Sequence, residues 1–367
     1  MKIGFDAKRA FFNGSGLGNY SRNLLSSLFL LHPENEYLLF SASTTKTLFE
    51  AGLPYQIPPA GLDALCPSLW RYKGLGKTAS HYRPDIFHGL SNELPLDIKK
   101  SKSKNMVSIH DAIFMRYPQW YKWHDRLIYE QKTAFACQNA DTIIATSYQT
   151  KEDILRFFKV KEEKIEVVYQ ICNPIFANHK DAKKRAIIAA KWNLPATYFL
   201  MAGNIEERKN IGNVIKSFKK ISSDVALVIV GRNNHYATLL KDFAVQEHLH
   251  NIFFYHDISN EELPYFYQGA KALIFASYFE GFGIPIVEAL FSKIPIIASN
   301  SSCFEEIAGE AALFINPDHV DEISDAIKLL LNSAPLCQTL TENGILQSQK
   351  FEMQTIVNNL MNVYLSL

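Results

Sequence analysis

Short apolar runs rich in Ile, Val, Phe and Tyr recur along this chain with stretches of helical spacing between many of them. This βα alternation constrains the fold more than any other feature. In the first half strands are expected at KIGFDA, YLLFSA, DIFHGL, NMVSIHD, DTIIATS and EVVYQ. In the second half they are expected at YFLMAG, ALVIVG, IFFYHD, ALIFAS, IPIIAS and ALFIN. Strands that read as continuous apolar runs are those covered on both faces, as in parallel doubly wound sheets. A chain of 367 residues has room for two such sheets. The boundary falls around ICNPIFANHKDAKKR, residues 171–185, where Pro174 and a burst of polar residues predict a hinge.

Charge excludes some partners. Lys and Arg total 38 against 37 Asp and Glu, so no overall field draws the protein to nucleic acid. Residues 1–175 hold 22 basic and 17 acidic side chains, a balance of +5, and the remainder 16 and 20, a balance of −4. The first half is therefore the one suited to an anionic surface. Five scattered cysteines with no Cys-x-x-Cys spacing argue against a disulfide framework or a zinc site. They read as buried thiols in a reducing compartment. No leader-like segment and no run of 18 uncharged apolar residues is found, so a cytoplasmic protein is expected.

Loops that follow strands carry the chemistry in such sheets. Gly14-Ser15-Gly16-Leu17-Gly18 follows the first strand and precedes an amphipathic stretch, a place where backbone amides can receive a phosphate. A dinucleotide fingerprint would need glycine at position 19, which is Asn19. GLGKT, Gly74 to Thr78, lacks both the upstream glycine and the preceding strand of an ATP-binding loop. Arg208-Lys209 stands between a strand and an apolar helical pattern, where a bound anion would relieve repulsion from the helix dipole. His110-Asp111 ends another strand. The stretch EGFGIPIVE places Glu280 at a strand mouth, a glycine turn after it, Pro285 at a helix start and Glu288 within the first helical turn. No His or Cys joins the two carboxylates and no Asp-x-Asp occurs, so a polar ligand with several hydroxyls is expected rather than a metal.

These elements together resemble glycosyltransferase family 4, retaining nucleotide-sugar enzymes with the GT-B arrangement of two facing Rossmann-like α/β domains. The resemblance rests on GFDAKRAFFNGSGLGNYSRNLL, SIHDAIFMRYP, DTIIATSYQTKEDILRFF, AGNIEERKNI, ASYFEGFGIPIVEAL and SNSSCFEEIAGEAALFINP. It implies an acceptor-side domain of residues 1–175, joined by a final helix at about 352–367, and a nucleotide-sugar domain of residues 176–351. It further implies that Glu280 contacts hydroxyls of the transferred sugar and that Glu288 holds the ribose. Arg208 and Lys209 would bind the diphosphate, helped by Gly16, Gly18, Asn204 and the turn Gly281, Phe282, Gly283 and Ile284. His110 would lie beside the donor sugar. The base would sit near Arg232 and Ile258.

The expected activity is transfer of a hexose, with mannose from GDP-mannose as the first choice, to a glycan or lipid-linked acceptor in cell-surface polysaccharide synthesis. Neither cofactor nor metal is called for. A nucleotide-sugar epimerase or hydrolase, a sugar-binding module without chemistry and a dehydrogenase are the rivals, the last weakened by Asn19. KKSKSK (Lys99 to Lys104) and YPQWYKWHDR (Tyr117 to Arg126) mix basic and aromatic residues, which suits sugar stacking or a peripheral contact with the inner face of a membrane.

Overall fold

In the computed structural model, which describes residues 1–42, 48–49, 56–178 and 181–367, the chain divides into two units. Unit 1 comprises Met1–Ile171 with Glu352–Leu367, and unit 2 comprises Cys172–Phe351. His179 and Lys180, within the expected linker stretch, lie outside the described residues.

Unit 1 is built on a parallel seven-stranded sheet in the order β3-β2-β1-β4-β5-β6-β7. Its strands are β1 (Lys2–Asp6), β2 (Glu36–Phe40), β3 (Gln56–Ile57), β4 (Ile86–Gly89), β5 (Lys104–Ile109), β6 (Thr142–Ala145) and β7 (Ile165–Val167). Unit 2 carries a parallel six-stranded sheet in the order β10-β9-β8-β11-β12-β13. Here the strands are β8 (Tyr198–Ala202), β9 (Ala226–Val230), β10 (Ile252–Tyr255), β11 (Ala272–Phe275), β12 (Ile296–Ser299) and β13 (Ala312–Ile315).

The uninterrupted apolar runs are the strands covered on both faces. Every residue of β4, β9 and β11 is buried, whereas every residue of the edge strand β10 is partly exposed. The expected strands are all present, although β7 stops at Val167 rather than Gln170. The two-residue β3 was not foreseen, because so short a run carries no period.

Side chains close several helices at their N-termini. Ser147 Oγ accepts from Thr150 N at 3.0 Å and Asn234 Oδ1 from Ala237 N at 2.8 Å. In GLGKT the amides of Gly76 and Lys77 donate to the Asp97 carboxylate at 3.0 and 2.9 Å, so they are occupied within the fold. The expectation that all five cysteines are buried fails for Cys66, which is exposed, and Cys337, which is partly so.

The final helix, Met353–Leu365, packs in unit 1 against the helix Gly16–Leu31. Tyr364, fully buried, hydrogen-bonds His88 Nδ1 at 2.7 Å, and His88 Nε2 meets Ser108 Oγ at 2.9 Å. Ser108 in turn meets the Tyr20 hydroxyl at 2.9 Å. A buried polar chain thus joins the last helix to the sheet and to the Gly16–Leu31 helix, with each member's polar atom satisfied by the next.

Candidate functional site

A doubly wound sheet presents ligands with the crevice beyond its strand ends where the strand order reverses. In unit 2 that point lies between β8 and β11. The chain after β8 makes a short 3-10 turn, Glu207–Lys209, and the chain after β11 leads to Glu280. Backbone and side chain tie the two segments: Tyr278 N donates to Arg208 O at 3.0 Å and Arg208 Nη1 to Phe279 O at 3.2 Å.

Sequence neighbours Arg208 and Lys209 then close on one carboxylate. Arg208 Nη1 pairs with Glu280 Oε2, and Lys209 Nζ with Glu280 Oε1. The lysine contact is an ion pair without hydrogen-bond alignment, since Oε1 has no hydrogen-bond partner among the described residues. Side-chain exposures of 17%, 13% and 14% for Arg208, Lys209 and Glu280 place the group well inside the strand mouth. Burial pushes the Glu280 carboxyl up, but the two cations outweigh it and hold it at about 2. Lys209 Nζ also stands 4.9 Å from the centroid of the Phe275 ring. Arg208 Nη2 donates to Glu206 Oε2 at 2.9 Å, so the four side chains carry no net formal charge.

A third segment, after β12, supports the turn. Ser302 Oγ donates to Glu280 O at 2.5 Å and accepts from Glu280 N at 3.2 Å, while Ser301 Oγ donates to Tyr278 O at 3.0 Å. Cys303 Sγ donates to Phe282 O at 2.5 Å. These supports were not singled out from sequence, where Ser and Cys in a loop carry no distinguishing pattern. Their partners come from a different strand end.

Glu288 departs from expectation. The helix runs Ile284–Ser292 from a Gly283 N-cap, so Glu288 is its fifth residue and lies beyond the first turn. The Tyr267 hydroxyl donates to Glu288 Oε2 at 2.6 Å. Enclosure raises the Glu288 carboxyl to about 7, opposed by that hydroxyl and by Lys209. Gly283 adopts φ of 131°, a region in which a side chain is strained, and thereby sets the abrupt change from turn to helix.

Among the other expected donor contacts, Gly281 is buried and Ile284 half-buried in this turn. Phe282 is a core residue, 3% exposed with its ring centroid 6.0 Å from that of Phe351, so only its backbone belongs to the turn. Asn204 is exposed and lines a small cavity with Lys209 at the end of β8. Arg232 is exposed after β9, and Ile258 is half-buried beyond β10. Between them His256 Nδ1 contacts Gly231 O at 2.6 Å, which joins these two loops.

Unit 1 has its own reversal point, between β1 and β4. Gly16 opens its helix with open space where a Cβ would stand, and among the described residues no side chain caps that helix end. Gly18 has a different role: a Cβ there would lie 1.7 Å from Asn13 O, so the residue is glycine to let the helix pass the preceding loop. The His110 imidazole is buried, with Nε2 against Leu90 O at 2.9 Å and Nδ1 against Gln170 Nε2 at 3.5 Å. Burial lowers it to about 4, so it is neutral at pH 7 with both ring nitrogens engaged inside unit 1.

Residues 183–347 match the model described as glycosyl transferases group 1, and residues 30–174 the model described as Glycosyltransferase Family 4. The chain is 24% identical over 289 residues to O-antigen chain mannosyltransferase B of Escherichia coli, covering 77% of this chain and 74% of that protein. It is 30% identical over 223 residues to O-antigen chain mannosyltransferase RfbU of Salmonella typhimurium, covering 60% of this chain and 59% of that one. The solved structure of HepE from Anabaena in complex with UDP and glucose matches over 100% of both chains with a TM-score of 0.79 at 16% identity. With one model matching each half of a chain built on two parallel doubly wound sheets, the protein belongs to glycosyltransferase family 4 and has the GT-B fold.

Proposed function

We propose that this glycosyltransferase is a retaining enzyme that moves a hexose, mannose first, from a GDP-linked donor to a glycan or lipid-linked acceptor in cell-surface polysaccharide synthesis. The observation that carries the donor site is the enclosed cluster of Glu280 with Arg208 and Lys209. A donor diphosphate would draw both cations to itself and release the Glu280 carboxylate to accept hydrogen bonds from hexose hydroxyls. As the bond from the anomeric carbon to the phosphate oxygen breaks, charge grows on the diphosphate, where Arg208 and Lys209 stabilise it. The acceptor hydroxyl oxygen bonds the anomeric carbon on the same face and its proton passes to the leaving phosphate. Two side-chain cations supply the neutralisation in this scheme, which makes the reaction independent of a metal.

The choice of mannose and of a polysaccharide product is supported by the likeness to the O-antigen chain mannosyltransferases of Escherichia coli and Salmonella typhimurium. Nucleotide diphosphate sugars, GDP-mannose and UDP-glucose among them, are to be compared by thermal shift, since a ligand of the native state raises its stability. The preferred donor is then used in radiolabelled transfer with and without EDTA. Transfer to an acceptor, insensitive to EDTA and lost in Lys209→Ala, is expected. An epimerised free sugar, or release without acceptor, would replace this reading by the epimerase or hydrolase.

A peripheral membrane contact is a second proposal. Among the described residues no helix is long and apolar enough to cross a membrane. The helix Trp123–Asn139 nonetheless exposes Trp123 at 75%, with Leu127 and Ile128 also exposed, beside Lys122 and Arg126. Sedimentation with anionic vesicles at low salt tests it, and absence of binding would end it.

A further inference from the structure

The reversal point of unit 1 opens into a cavity of about 330 Å³ whose lining includes Arg9, Asn13, Ser91, Asp111, Tyr121 and Tyr129. Its size falls in the range of small-molecule sites. Hydroxyl, amide and carboxylate groups alongside tyrosine rings suit a sugar, whose hydroxyls need acceptors and donors and whose C–H face needs an apolar wall. One group in the lining is not explained by the protein itself. Arg9 enters no ion pair among the described residues, and its Nε is enclosed without a hydrogen-bond partner. An enclosed guanidinium N–H left unmade is costly, and such groups ordinarily find an acceptor in the protein or a ligand.

Neighbouring carboxylates do not meet this need. Glu93 is taken by Arg71 Nη2 at 2.6 Å and Lys132 Nζ at 3.0 Å, and Asp6 by Arg71 at 2.7 Å. Asp111 Oδ1 accepts from Ile113 N at 3.1 Å. A second cation, Lys8, which enters no ion pair among the described residues, lines the adjoining cavity of about 390 Å³, which shares Lys132 with the first. Burial and then the proximity of Arg71 and Arg9 lower the Lys8 ammonium below its ordinary value against the opposing pull of Glu93 and Asp6, and an entering anion would relieve the repulsion that remains.

We propose that this cavity binds a glycosyl group carrying a phosphate or carboxylate, with Arg9 as the receptor of the oxyanion and the tyrosines against the ring. Resting on the transferase reading, this makes the acceptor an anionic sugar. Arginine matches either oxyanion in a bidentate fork, and the lysine nearby adds charge without direction.

The test is calorimetric titration of the full chain with glucose 1-phosphate, glucuronate, methyl glucoside and inorganic phosphate, in wild type, Arg9→Gln, Arg9→Lys and Lys209→Ala. The first two probes separate the phosphate source from the carboxylate. One of them should bind at least tenfold tighter than methyl glucoside and tighter than phosphate alone. Arg9→Gln should lose about ten- to a hundredfold of that affinity with an unchanged melting temperature, and Arg9→Lys less. Lys209→Ala should retain it, while losing the thermal shift produced by a nucleotide diphosphate sugar. No binding of either charged sugar to wild type, equal binding of methyl glucoside, or Arg9→Gln binding unchanged would overturn the proposal. Loss of the charged-sugar affinity in Lys209→Ala would move the anion to unit 2 and overturn it too. The nucleotide-sugar shift and its dependence on Lys209 report on the donor site separately, so either reading can fail without the other.

Discussion

Glu280 and Glu288 flank one glycine turn, yet the first holds its proton only below about 2 and the second up to about 7. Two cations outweigh the burial of Glu280, whereas Glu288 has a neutral phenol as its hydrogen-bond partner. The same pair therefore contributes to stability with opposite signs.

For Glu288 the folded value lies above the ordinary 4.5, so ionisation opposes folding. Its penalty is absent below about pH 4.5, grows up to about 7 and is then constant. Glu288→Gln is expected to raise the melting temperature more at pH 8 than at pH 4, and to weaken donor binding if the carboxylate holds the ribose. Calorimetry at the two pH values measures the first effect. Equal shifts at both would show that Glu288 ionises normally.

Glu280 behaves in the reverse sense. Its folded value is depressed, so its contribution is present above about pH 4.5 and is lost as the pH falls toward 2. The shift corresponds to on the order of 3 kcal/mol. Denaturant unfolding of Glu280→Gln should show a loss at pH 7 that shrinks on acidification.

In the proposed reaction Lys209 neutralises the leaving diphosphate, and on that reading Lys209→Ala should lower kcat by about a hundredfold or more. Steady-state kinetics with saturating donor separates this from weakened binding. Unchanged kcat would remove Lys209 from the chemistry.

Gly16 and Gly18 lie in one helix, but Ala at the two positions should differ sharply. Gly18→Ala meets Asn13 O and should cost about 3 kcal/mol, whereas Gly16→Ala enters open space and should leave stability nearly unchanged. Urea unfolding of the two variants decides this.

Acid should loosen unit 1 through its buried histidines. Burial lowers His88 to about 3 and His110 to about 4, so protonation favours the unfolded chain. Stability from this source is complete above about pH 6.5 and falls as the pH drops toward these values. Tyr364→Phe, which leaves His88 Nδ1 without its hydroxyl, should cost about 1–3 kcal/mol. Hydrogen exchange along Met353–Leu365 would register the loosening.

The parallel sheets were legible in the chain because strands buried on both faces must be apolar throughout, and runs such as ALVIVG and ALIFAS have no other economical explanation. Arg208, Lys209 and Glu280 were legible as members of one sheet edge, because each follows a strand. Their closure into a single ion cluster was not, since it depends on β8 and β11 being neighbours across two intervening strands of sequence. The same limit separates Gly16 from Gly18, identical in sequence and different only in what stands opposite. It also hid the occupied imidazole of His110, whose partners lie far along the chain, and the enclosed Nε of Arg9, which has no hydrogen-bond partner among the described residues. Local order determined which segments are strands and which of the loops that follow them carry charge. Tertiary structure alone decided which charges are matched, because matching is a property of distance and burial, and neither is a function of separation along the chain.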